Sequence, residues 1–203
     1  RRFVGCVGRQ GRLPLRSMML ASVVSLAHAN TLVPAARQAK PVLLTGGMVI
    51  TVSGVTHAQA DVLIVEGKIA QIAPTIAAPA GAEIIDVRGK RVYPGFIAAQ
   101  TVLGLVEISG ARQTVDSAET GNINPNARTQ TALNPDSELL PVARANGILT
   151  ALTVPVERVT GAARSNLIAG TSTLIRLDGW TWEDLTVRAA MGMHVYWPTM
   201  RLN

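Results

Sequence analysis

Apolar residues come in short runs set apart by glycines and polar turns, over the first half of the chain especially. Val42-Leu43-Leu44-Thr45 leads through Gly46-Gly47 into Met48-Val49-Ile50-Thr51-Val52. Asp61-Val62-Leu63-Ile64-Val65 is followed by Glu66-Gly67 and the returning run Lys68-Ile69-Ala70-Gln71-Ile72. Two β-branched runs joined by a two-residue turn with Gly second are a strong hairpin signal. Ala82–Val87 reads as a further strand before the turn Arg88-Gly89-Lys90. Short strands about every ten residues predict a small β-sandwich over residues 42–92, preceded by a linker at residues 30–41.

The second half changes rhythm. Glu107 to Leu133 is long and polar, beyond the usual length of a connection, and such loops are functional or disordered. Asn134–Gly147 reads as a capped helix, with Pro and acids at its start and Gly at its end. Ile148–Val154 is a nearly continuous apolar strand, as expected for parallel β-structure buried on both faces. Leu167–Leu177 reads as paired strands with a bend at Gly170, ended by Asp178-Gly179, and Thr181 with Asp184 suits the cap of a short helix.

The N-terminus differs in kind. Arg1, Arg2, Arg9, Arg12 and Arg16 precede the apolar run Met18–Leu26 and then Ala27-His28-Ala29. That order predicts a secretory signal peptide over residues 1–29, hence export to the periplasm or medium. The run is about half the ~20 residues that cross a bilayer, so no permanent span is expected. A buried strand or helix is the alternative, and an Arg-rich transit peptide a further one. The formal charge of +6 follows this division. Residues 1–60 hold seven basic and no acidic residues, whereas residues 61–203 hold twelve basic and thirteen acidic. Without a basic excess in its body, and with 3% aromatics, the chain is not expected to bind nucleic acid. Its single cysteine, Cys6, lies in the leader, which leaves a mature chain with no disulfide, CxxC or thiol chemistry.

The hairpin Val65-Glu66-Gly67-Lys68-Ile69, the segment Ile85-Asp86-Val87-Arg88-Gly89-Lys90 and the step Tyr93-Pro94-Gly95-Phe96-Ile97 together resemble the amidohydrolase superfamily over about residues 42–105. The resemblance implies an α/β fold: a small β-sandwich forming a composite domain, then a metal-dependent (β/α)8 barrel of the TIM type beginning at residue 93. It implies hydrolysis of C–N bonds, other than peptide bonds, in amides, cyclic amides or dipeptide-like small molecules, with a divalent metal such as zinc as cofactor. Family members carry Asp and a His-x-His pair on the first barrel strand. Here those three positions are Ala98, Gln100 and Val102. Val102 has no lone pair and an amide oxygen is a poor zinc ligand beside imidazole, so no metal ligand is assigned. His28, His57 and His194 form no pair.

Gln100 and Glu107 are therefore the candidate pocket residues, Gln100 either as a hydrogen-bonded polar residue or as a substrate contact. No catalytic residue is assigned. Asp116, Glu119 and Asp136 are further acids that could assist proton transfer. Trp180 and Trp182 are expected to pack. From Tyr93 to Asn203 there are 111 residues, against the ~250 of a whole barrel. The expectation is a fragment that binds no metal and is inactive alone. The rival reading is a non-catalytic binding or scaffolding protein that kept the fold and lost the metal site. Oligomeric state is not legible.

Overall fold

A computed structural model describes residues 34–160, 163–165 and 167–197. The predicted leader, with Cys6 and His28, lies outside the described residues.

The first sheet grows from β1 (Val42–Ile50) and β2 (Thr56–Val65), which pair antiparallel. β2 turns at Glu66-Gly67 into β3 (Lys68–Ala73). Both turn residues have positive φ, 51° and 72°, the backbone twist that suits a two-residue hairpin. β4 (Glu83–Asp86) and β5 (Arg91–Val92) then join the free edge of β1, both parallel to it. Gly46-Gly47 does not separate two strands, as the sequence suggests. It bulges one long strand, shifting the register between Leu44 and Gly47. The Asp61 carboxylate compensates: it accepts from the freed Gly46 N–H at 2.8 Å and from Ile76 N–H at 2.9 Å. Val49, Ala60 and Val62 are the buried centre of this sheet, with Leu44, Ile64, Ile72 and Val92 against them. The five strands form one sheet, so the expected sandwich is represented by a single layer among the described residues.

β6 (Phe96–Thr101), α1 (Leu139–Ala145) and β7 (Ile148–Thr153) make a strand-helix-strand unit with β6 and β7 parallel. α1 is shorter than predicted. Residues 134–138 form turns instead, in which Asn134 Oδ1 accepts from Asp136 N–H and Ser137 Oγ from Leu139 N–H. Polar side chains this close to the backbone compete with helical hydrogen bonds. Gly147, at φ 86°, ends the helix as expected.

Beyond β7 lie β8 (Arg158–Thr160) and β9 (Ala163–Ser165), a small hairpin. β10 (Ile168–Thr171) and β11 (Thr173–Arg176) follow. They do not pair with each other, contrary to the sequence reading. β11 lies antiparallel to β7, while β10 pairs with the last strand, β13 (Met193–Val195). A (β/α)8 barrel places a parallel strand beside its second strand, so β11 is where the described sheet departs from the barrel pattern. α2 (Trp182–Leu185) carries the capping box read from Thr181 and Asp184 and leads into β12 (Thr186–Arg188), which pairs with β11. Leu105, Leu133, Leu140, Ala151, Ile175, Leu177 and Leu185 form the second core. The architecture is mixed α/β, mostly strand.

Candidate functional site

β6 carries the positions where the resemblance implies metal ligands. Its pairing with β7 matches Ala98 to Ala151 but Thr101 to Thr153, so three steps on β6 oppose two on β7. This bulge falls across Ala99 and Gln100. Bulges break the alternation of faces and re-aim side chains. Gln100 is exposed and Val102 half-buried just past the strand end. The amide and the isopropyl group do not fit a zinc first shell in place of two imidazoles. Among the described residues no group of three His, Cys, Asp or Glu side chains is placed to hold a metal ion.

The chain after β6 is bound to the end of β7: Val154 N–H donates to Thr101 O at 2.9 Å, and Thr153 Oγ1 to Leu103 O at 3.1 Å. The long polar segment then folds back over the strand ends. Asp116 N–H donates to Leu105 O at 2.8 Å, and Val106 bridges Val115. Further on, Ile123 and Arg128 bridge Ile168 and Thr171, extending β10. Thr129 Oγ1 donates to Thr171 O at 2.7 Å. Thr173 Oγ1 donates to Gln130 Oε1 at 3.0 Å, with both side chains buried. Gly170 allows this approach: at φ 104°, a Cβ there would lie 2.5 Å from Ala127 O.

The folded-back segment encloses a cleft of about 330 Å³. Leu105 and Pro155, which follow the C-terminal ends of β6 and β7, line it. Asp116, Glu119, Arg128, Thr129 and Thr131 supply polar groups. Clefts outside the C-terminal ends of parallel strands are where α/β folds bind ligands. Of the residues singled out by sequence, Asp116 and Glu119 line the cleft, and Gln100, Glu107 and Asp136 do not. Glu107 is half-buried and accepts from Asn134 Nδ2 at 3.4 Å, bracing the base of the segment. Arg128 and the two threonines were missed, for the only signal was the length of the segment that carries them.

His57 lies on β2. His194 lies on β13, where burial pushes its imidazole below the usual range. Tyr196 Oη donates to Pro155 O at 2.7 Å beside the cleft. Burial, with Glu157 secondary, raises its phenol. Trp180 does not pack as expected and is 61% exposed, whereas Trp182 has most of its surface covered.

No protein-family model matches the chain. A curated dihydroorotase from Solibacter usitatus (strain Ellin6076) is 44% identical over 57 residues, 28% of this chain and 13% of that protein. The solved amidohydrolase from Thermotoga maritima MSB8 superposes with a TM-score of 0.67 at 24% identity, over 76% of this chain and 38% of that one. A prolidase solved with N-methylphosphonate-L-proline gives a TM-score of 0.36 at 24% identity, over 55% of this chain and 25% of that one. The chain is thus similar in fold to an amidohydrolase and, over 57 residues, in sequence to a dihydroorotase, and it spans well under half of these relatives' length.

Proposed function

We propose that this chain is the N-terminal part of an exported amidohydrolase-like hydrolase that cleaves the C–N bond of an amide or cyclic amide. The observation that carries this reading is the cleft over the C-terminal ends of β6 and β7, in a chain similar in fold to an amidohydrolase. The first sheet would be part of a β-sandwich, and the β6-α1-β7 unit the start of a barrel. Hydrolysis adds water to the carbonyl carbon, breaks the C–N bond and delivers a proton to the leaving nitrogen. Asp116 or Glu119 is the group of this chain suited to take the proton from water and return it to nitrogen. No step is assigned to a metal, because Gln100 and Val102 do not fit one.

A second reading is a binding protein on the same fold. The loss of donor atoms at Gln100 and Val102 favours it.

One preparation tests both: the gene product carrying this chain, assayed on a panel of cyclic amides and analysed for bound metal. The hydrolase reading expects turnover of at least one substrate. It expects Gln100→His with Val102→His to raise metal content or rate. No turnover by either protein, with metal content unchanged, would establish the binder instead. The N-terminus of the same preparation tests export, with Asn30 expected as its first residue. A folded cytoplasmic protein retaining residues 1–29 would refute that part.

A further inference from the structure

The cleft's lining carries charges of both signs. Thr129 and Thr131 have given their hydroxyl protons to Thr171 O and Arg128 O, at 2.7 and 2.9 Å. A hydroxyl whose proton is committed can only accept from a ligand. Asp116 and Glu119 are acceptors too, once ionised. Beside these four acceptors the cleft is lined by Arg128, its one cation, and by the neutral Ser117 and Asn126. Among the described residues, none of these three charged side chains is in an ion pair. The formal charge of the lining is −1, from Asp116, Glu119 and Arg128.

We propose that the cleft binds a small zwitterion, one molecule bearing an amine and a carboxylate. The ammonium group would donate to Asp116, Glu119 and the threonine oxygens. The carboxylate would accept from Arg128, whose planar fork suits it. A simple anion would satisfy Arg128 but face two carboxylates. A simple cation would leave Arg128 without a counter-charge. A ligand of both signs pairs with all three charged residues of the lining. The cavity of about 330 Å³ admits a small molecule of this kind. The proposal rests on reading this cleft as the hydrolytic site and adds the class of product it holds, since opening a cyclic amide leaves an amine and a carboxylate on one molecule.

Calorimetric titration of the full chain at pH 7 tests it. The probes are ω-amino acids of three to six carbons, with their N-acetyl and carboxamide analogues. At least one amino acid should bind about tenfold or more tightly than both of its singly charged analogues. Arg128→Gln should reduce its affinity to that of the carboxamide and leave the carboxamide unchanged. Arg128 is exposed, so this variant is expected to keep the fold, which circular dichroism checks. Equal affinities across each series, no binding of any probe, or an Arg128→Gln variant that binds as before would overturn the proposal. Binding does not depend on turnover, so the two readings fail separately. A zwitterion bound but no amide hydrolysed removes the hydrolase reading alone. Hydrolysis of a neutral cyclic amide with no zwitterion preference removes this one alone.

Discussion

Asp61 shows how one side chain stabilises an irregular strand. It is 7% exposed, and both carboxylate oxygens accept backbone N–H groups, from Gly46 and Ile76. The Gly46 donor is available because the bulge in β1 withdraws it from the ladder with β2. A buried donor left without a partner costs about 1–3 kcal/mol. Asp61→Ala orphans two and should lower unfolding free energy by roughly 2–6 kcal/mol on that basis. Asp61→Asn keeps one acceptor oxygen, turns an NH₂ toward the other donor and should fall between. Urea titration followed by circular dichroism measures both, and an Ala variant as stable as the parent would refute the assignment. The Asp86–Arg88 pair is a contrast. Its hydrogen bond to Arg88 draws the Asp86 carboxyl down to about 2, but the pair lies on the surface, where solvent screens it.

At the scale of elements, the cleft depends on how residues 122–130 lie along β10. Two short bridges, the Thr129 hydroxyl and the buried Thr173–Gln130 bond hold that segment. Gly170 is the hinge of the arrangement, with positive φ and a backbone carbonyl where a Cβ would stand. Gly170→Ala must therefore displace either the segment or β10, because no flexible side chain is there to yield. The expected cost is about 3 kcal/mol, the upper end for a strained backbone conformation. The segment's amides should then exchange with solvent faster than those of β1 and β2, which a hydrogen-exchange comparison would reveal. Uniform acceleration throughout the chain, or none, would mean that the segment is not held through Gly170.

Over the whole molecule, apolar surface remains outside the two cores. Phe96 and Ile97 on the edge strand β6, Met193 and Val195 on β13, and Trp197 just beyond it are all exposed. β13 alternates, with His194 and Tyr196 half-buried between those three. Open strand edges beside exposed apolar residues favour association. The 203-residue chain, prepared alone, is expected to bind a hydrophobic dye and to self-associate at micromolar concentration. A monomer with a sharp unfolding transition and no dye binding would count against this. No helix among the described residues is long and apolar enough to cross a membrane.

What local chemistry dictates was legible in the sequence. Glu66-Gly67 between β-branched runs specified its hairpin, Thr181 with Asp184 its capping box, and Gly147 the end of α1, because each interaction spans only a few residues. The order of hairpin, turn and Pro94-Gly95 step also carried the resemblance to amidohydrolases. The absence of imidazoles at Gln100 and Val102 needed only the residue names. Tertiary structure decided the rest. It sent β10 and β11 to different sheets and left Trp180 exposed. It also placed Arg128, Thr129 and Thr131 beside Asp116 and Glu119, with Glu107 and Gln100 outside. These outcomes depend on pairings between residues some forty positions apart, such as Thr129 with Thr171 and Gln130 with Thr173. A threonine hydroxyl meets its partner by where the backbone is carried, and no short stretch of sequence records that.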